Sequence, residues 1–251
     1  MRATVSHLWR HPIKGHGVEA VPATVLAAGA TMPWDRVWAI AQDRAKLGDG
    51  ASWVPCVNFG RGAKSPALMA IRARVDEAAG TVTLTHPERA PLTVDPDDAA
   101  DAGRLMAWVA PLWNPDRPGP ARVVRAPVGM TDSAFPSIAI LNRASLAALG
   151  GRLGMDLAME RFRGNLWVEG LAPWQEFELV GREVRVGGAT LRVREIISRC
   201  KATTVDPDTG IPDADTLGAL SAGWGHQNFG VYAEVVEGGP IAVGDPAVAL
   251  P

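Results

Sequence analysis

The sequence predicts a mainly β, α+β protein, with a barrel or sandwich core and a few short helices. Three observations predict it. Short runs of alternating or β-branched residues recur along the chain, "RVWAIAQ" at 36–42 among them. Gly and Pro, at 27 and 20 residues, punctuate those runs too often for long helices. Only three segments read as capped helices, all of them short.

In chain order, the run 5–8 is the first strand. The run 18–26 follows, with Pro22 demoting its middle to an edge or a bulge because proline has no N–H for the ladder. The alternation at 36–42 makes a third. The runs 67–75 and 81–85 flank "DEAAG" and read as a hairpin whose loop ends at Gly80. Asp97 or Asp98 caps a helix over 99–109, in which Leu105, Met106 and Val109 fall at helical spacing. "APLWNPDRPGPAR", with Pro111, Pro115, Pro118 and Pro120, is the best linker candidate and divides the chain into 1–117 and 118–251. Beyond it, 122–126 and 137–141 read as strands. Asn142 caps a helix over 144–149 that Gly150 and Gly151 stop. The runs 165–168, 183–186 and 190–197 are strands, the last two joined by Gly187 and Gly188 as a tight hairpin. A short helix over 215–220 precedes a closing hairpin of 229–236 and 241–243 around "EGG".

Lys+Arg 25 against Asp+Glu 27 leaves a net charge of -2, so nothing in the charge balance points to nucleic acid or an acidic membrane as partner. The N-terminus lacks the apolar stretch of a secretory signal, and no run approaches the ~20 apolar residues of a spanning helix. The expectation is a soluble, cytoplasmic protein. Cys56 and Cys200 are too few for a disulfide framework. There is no CxxC, HExxH, GxSxG or P-loop, and His7, His11 and His16 do not have ligand spacing.

Chemistry concentrates at "SRCKATTVDPDTG", residues 198–210. Cys200 stands between Arg199 and Lys201, and nearby cations favour the thiolate. A thiolate there is a nucleophile, a sulfur carrier or a soft metal ligand; the alternative is a buried structural cysteine, which flanking charges disfavour. Asp206 is a candidate proton carrier beside a metal, although Asp before Pro and Asp208 before Thr-Gly are ordinary turn chemistry, and the turn is the preferred reading. In "RFRGN", Arg161, Arg163 and Asn165 point the same way if extended. Such a row suits an anion or a polyfunctional heterocycle, against a plain solvated strand face. Cys56, in "WVPCVNFGRGAKSPALM" near Arg61 and Lys64, belongs either to a loop over a cofactor or substrate or to a loop that packs the thiol inside. The second is preferred, since nothing gives Cys56 a partner.

"RFRGNLWVEG", "SRCKATTVDPDTG" and "NFGVYAEVVEGGPIAVGD", in that order, resemble the MOSC domain. "LWRHPIKG" and "DRVWAIAQD" resemble the β-barrel domain that precedes it in the mitochondrial amidoxime-reducing component family and its bacterial relatives. The resemblance covers essentially the whole chain. It implies a MOSC β-barrel over 118–251 preceded by a smaller β-barrel-like domain over 1–117. It also implies a molybdenum cofactor, a molybdopterin-type pterin carrying Mo, with Cys200 as the sole protein ligand of the metal. By the same resemblance Lys14 and Arg36 reach the pterin phosphate, Ser137 lies near the cofactor, and Arg163, Asn165 and Arg199 hold it. The implied activity is reduction of N-hydroxylated or N-oxygenated small molecules, with electrons from a separate ferredoxin- or flavoprotein-type donor, because no cysteines remain for a fused iron–sulfur domain. Its rivals are a persulfide carrier built on Cys200 and a cofactor-binding protein without catalysis. Two residues depart from the family pattern. Gly15 stands where Ser is common, removing a hydroxyl donor, and Gly164 stands where Pro is usual, which is expected to loosen the backbone around Arg163 and Asn165.

Overall fold

The structure, a computed structural model, describes residues 1–47 and 53–251. Its strands are β1 (Arg2–Arg10), β2 (Ile13–Lys14), β3 (Glu19–Val21), β4 (Ala23–Leu26), β5 (Trp38–Gln42), β6 (Arg72–Asp76), β7 (Thr81–His86) and β8 (Arg89–Val94). After helix α1 (Ala99–Val109) come β9 (Pro120–Arg125), β10 (Ile138–Asn142), helix α2 (Arg143–Leu153), β11 (Leu166–Glu169), β12 (Glu183–Val186), β13 (Ala189–Ser198), helix α3 (Thr216–Trp224), β14 (Asn228–Glu237), β15 (Gly239–Ala242) and β16 (Pro246–Ala249). None of the described helices is long and apolar enough to cross a membrane.

The fold is mainly β, as the turn-rich sequence predicts. Its centre is a closed barrel of seven strands in the order β11-β10-β14-β13-β12-β16-β1, with β1 pairing back onto β11. Closure leaves no edge among the staves except where β3 adds to the end of β1. Alternation along β13 shows why it is a stave. Ala189, Leu191 and Val193 are buried in the barrel core, while Arg192 and Arg194 face solvent and pair with Glu183 and Glu234 at 2.6 Å. A second core lies under the sheet β2-β5-β9, the meander β6-β7-β8 and α1, and is built on Trp38, Ile40, Leu84, Leu105 and Trp113.

The two regions exchange strands. β1, from the first ten residues, is a barrel stave between β11 and β16, and β9, beyond the proline-rich stretch, pairs with β5. That stretch is packed rather than a free linker. Leu112 and Trp113 are buried, the Trp113 indole donates to the Pro118 carbonyl at 2.9 Å, and Pro120 opens β9. Four other elements differ from the sequence reading. The run from 67 begins as a 3-10 turn over Pro66–Ala70, with Pro66 presetting its first φ. β7 is followed by a third meander strand, β8. α2 runs through Gly150 and Gly151 and stops at Gly154, whose φ of 70° supplies the left-handed cap. β15 pairs with β4, not with β14. Pro22 does split its run, into β3 and β4, and Asp98, Asn142 and Asp215 cap the three helices as Asp and Asn do.

Residues 118–251 alone lack a barrel stave and leave the β1-facing edges of β11 and β16 unpaired. We expect that fragment to show no cooperative thermal transition by circular dichroism where the full chain shows one; a sharp melt of the fragment would contradict the shared-stave architecture.

Two histidines after β1 are fully buried. Burial, with Arg163 adding to it, pushes His11 down to about 3 despite Asp35; burial pushes His16 down to about 4 despite the Lys14 carbonyl. Below an ordinary histidine value near 6.5 the unfolded chain takes up protons that the folded chain refuses. Stability is therefore expected to fall as pH drops from about 6.5 towards 4. Melting temperatures measured across that range check this, and a flat profile would contradict it.

Candidate cofactor site

A cavity of about 230 Å³ opens where the end of the barrel meets the β2-β5-β9 region. Cations dominate its lining: Lys14, Arg36, Arg61, Arg161, Arg163 and Arg199, against the single carboxylate of Asp132.

Lys14 comes from the two-residue strand β2, which pairs in parallel with β5, and is turned inward by Gly15 at φ 75°. Its ammonium donates to the carbonyls of Met130 (2.9 Å) and Thr131 (3.1 Å) and to Asp132 Oδ1 (2.6 Å). Burial lowers its pKa and Asp132 opposes the shift.

Arg36 sits just before β5 in the left-handed region, at φ 53°. Its guanidinium bonds Asp35 through Nη1 and donates to the Arg163 carbonyl through Nη2 at 3.3 Å. Asp35 is wholly buried, and its other oxygen accepts the His11 backbone N–H at 2.7 Å. Burial alone would raise that carboxyl, but Arg36 holds it well below the usual carboxylate range.

Arg163 is also left-handed, at φ 47°, and closes the 3-10 turn Met159–Phe162. It donates to the Gly17 carbonyl at 3.0 Å and reaches the Ile13 carbonyl at 3.5 Å. Burial, with Arg36 beside it, pushes it down to about 9. Arg199 follows β13. It donates to the carbonyls of Phe229 and Phe162, both at 2.8 Å, and its guanidinium lies over both phenyl rings at 5.8 and 5.7 Å. Its Nη2 is buried without a partner among the described residues, and burial pushes the group down to about 10. Arg161 is held by Asp213 through two parallel bonds of 2.6 and 2.7 Å.

Cys200 is a free, exposed thiol in the cavity lining, at the entry to a 3-10 turn over Lys201–Thr204. Thr203 fixes that turn: its hydroxyl bonds the Cys200 carbonyl at 3.2 Å and the Thr216 hydroxyl of α3 at 2.7 Å.

Of the residues singled out in the sequence, Lys14, Arg36, Arg161, Arg163, Arg199 and Cys200 meet at this cavity. Ser137, Asn165 and Asp206 are not in its lining. Ser137 is buried and bonded to Ser133 at 2.7 Å. Asn165 spends both ends of its amide on backbone, accepting from the Ala139 N–H at 3.0 Å and donating to the Trp9 carbonyl at 3.2 Å. It therefore joins β10 to β1 through its side-chain amide. Asp206 is taken up by its own turn, accepting from the Asp208 N–H and the Thr209 hydroxyl, both at 3.0 Å. Cys56, read from sequence as a packed loop thiol, lines the cavity instead, with the Arg61 guanidinium 3.4 Å from its sulfur. Asp132 and Tyr232 also line it and carried no local signal in the sequence, because each reaches the cavity from a distant part of the chain.

The donor set fits a phosphate-bearing, electron-rich group next to a soft metal. The unpartnered Arg199 Nη2 and the carbonyl-held guanidinium of Arg163 suit an anion, Lys14 adds positive charge although its three N–H groups go to Met130, Thr131 and Asp132, and an accessible thiol suits soft-metal coordination.

Comparison with known proteins gives the same direction. The MOSC N-terminal beta barrel domain matches residues 2–110 and the MOSC domain matches residues 133–248. The chain is 25% identical to mitochondrial amidoxime reducing component 2 of Bos taurus, over 98% of this chain and 83% of that one. It is 26% identical to mitochondrial amidoxime-reducing component 1 of Mus musculus, over 98% and 82%. It is 28% identical to a molybdenum cofactor sulfurase of Drosophila grimshawi, over 44% of this chain and 15% of that one. The chain belongs to the MOSC family, with a MOSC N-terminal beta barrel domain ahead of its MOSC domain.

Proposed function

We propose that the protein is a molybdenum-cofactor-dependent oxidoreductase that reduces N-hydroxylated or N-oxygenated small molecules. The observation that carries this reading is one exposed thiol, Cys200, in a cavity it shares with Arg163 and Arg199, cations that carbonyls hold in place without neutralising them. Cys200 would ligate the metal as thiolate. Arg199, Arg163, Arg36 and Lys14 would hold the phosphate and the pterin. The chemistry the bound cofactor supplies is two-electron reduction with removal of oxygen from N–O.

The remaining lining orients and protonates. Burial pushes the Tyr232 hydroxyl up to about 12, so it keeps its proton at neutral pH and stands in the cavity as a neutral donor. Phe162, stacked on Phe229 at 4.2 Å, gives the cavity a rigid apolar floor on which the Arg199 guanidinium rests. In this reading Asp206 keeps the turn after Cys200 in shape and Asn165 keeps β1 and β10 in register. The amidoxime-reducing relatives support the substrate class, and a cytoplasmic location with a separate electron donor completes the proposal.

Expression in a host that makes the pterin, followed by elemental analysis, tests the reading. The wild type is expected to carry near-stoichiometric molybdenum and to reduce an aryl amidoxime with dithionite; Cys200→Ser is expected to lose both. Metal retained in Cys200→Ser would overturn the ligand assignment. A metal-free protein with labile sulfane sulfur on Cys200 would replace the reductase with the persulfide carrier.

A further inference from the structure

A groove of about 290 Å³ lies on the outer side of the cavity wall. Among the described residues four cations line it, Arg44, Arg61, Lys64 and Arg117, and no carboxylate does. Arg44, Lys64 and Arg117 are exposed and Arg61 is half-buried. None of the four makes a salt bridge among the described residues, whereas Arg72, Arg143, Arg192 and Arg194 elsewhere on the surface are each held by a carboxylate at 2.6–3.0 Å. Asp43, beside Arg44 in the chain, has one oxygen on the Gly119 N–H at 3.0 Å. The floor is apolar: Phe59 and Trp113 are buried beneath it, and Val57 stands 54% exposed at its side. Cations around an apolar patch, on a chain whose net charge is only -2, make a local electrostatic feature rather than a general one.

The partition between groove and cavity is thin. Gly60 and Arg61 line both. Gly60 presses on the Lys14 turn, since a Cβ on Gly15 would fall 2.3 Å from the Gly60 carbonyl oxygen. Gly62 lines the cavity together with Cys200 and Ala202, and a Cβ there would fall 2.3 Å from the Met69 sulfur. One strip of glycine-rich backbone, 60–62, thus separates the groove from the segments that carry Lys14 and Cys200.

We infer that this groove is the docking site for the acidic face of a small one-electron redox protein, which passes electrons through the 60–62 strip towards Cys200. The inference rests on the reductase reading. Conversion of N–OH to N–H with release of water takes up two electrons and two protons. Each docking event oxidises one donor molecule by one electron, so two events complete one turnover, and solvent supplies the protons. Exposed lysine and arginine steer an acidic partner, Val57 gives the contact a dry centre, and turnover needs rapid release, which a small charged interface provides.

The test uses the full, metal-loaded chain and a plant-type [2Fe–2S] ferredoxin as the probe. The triple variant Arg44→Glu, Lys64→Glu, Arg117→Glu leaves Arg61 and every cofactor-facing residue in place. Ferredoxin affinity by calorimetry and ferredoxin-driven amidoxime reduction are both expected to fall at least about 10-fold, with a flatter dependence on salt between 50 and 300 mM. Dithionite-driven turnover is expected to stay at the wild-type value. Equal affinity and equal salt dependence in wild type and variant would overturn the docking site, as would no ferredoxin binding by the wild type at low salt. Absence of dithionite-driven turnover in the wild type would instead remove the reductase reading, while the affinity comparison still decides the groove.

Discussion

Backbone carbonyls hold four of the cavity's cations, Lys14, Arg36, Arg163 and Arg199, and the rest of the site depends on that choice. Lys14 donates to two carbonyls, Arg163 to two, Arg199 to two, and Arg36 to the carbonyl of Arg163 itself. A carbonyl satisfies an N–H but brings no countercharge, so the side chains are oriented while their positive charge remains. The cost shows in Arg163 and Arg199, which burial pushes down to about 9 and 10. Only Asp35 and Asp132 oppose the charge of Arg36 and Lys14 from close by. An anion entering the cavity gains what these cations lack, which is the physical basis for expecting a phosphate-bearing ligand there.

Free carbonyls require backbone that leaves the ladders, and the fold supplies it at the end of the barrel. Arg36 and Arg163 adopt left-handed backbone, each at a cost of about 1–3 kcal/mol for a non-glycine residue, and the two are hydrogen-bonded to each other. Asp35 anchors one side through the His11 N–H, and the Arg36 N–H returns to the His11 carbonyl at 2.8 Å. β1 then carries this knot into the barrel through its pairing with β11, so the strand exchanged between the two regions also holds the cavity's cations in place.

Local chemistry made much of this legible. Strand alternation, Asp and Asn caps, Pro22 and the thiol between two cations are all short-range signals, and they point to a β-rich fold with Cys200, Arg199 and Arg163 in play. What sequence did not carry is what closure decides. Nothing in residues 2–10 says that they pair with 166–169, and nothing in "PDRPGPAR" says that Pro120 starts a strand against β5. The same blindness explains the site. A row of Arg161, Arg163 and Asn165 looks like three ligands if extended, but the backbone turns left-handed at Arg163: Arg161, held by Asp213, and Arg163, bonded to the Gly17 carbonyl, stay in the cavity lining, while Asn165 goes into the barrel wall. Asp132, Tyr232 and Cys56 join the cavity only through tertiary packing.

The two glycines that break the family pattern sharpen this point. Gly164 was expected to loosen Arg163 and Asn165, yet a Cβ at that position would stand 2.4 Å from Leu141 Cδ1, so the small residue serves close packing against β10. Asn165, bonded at both ends, leaves the segment no slack. Gly15 combines a left-handed φ with the contact on the Gly60 carbonyl, so a serine there would require the 60–62 strip to move away from the Lys14 turn. Gly15 thus goes with a thin wall beside Lys14, and the same thin wall separates the cavity from the cationic groove outside it.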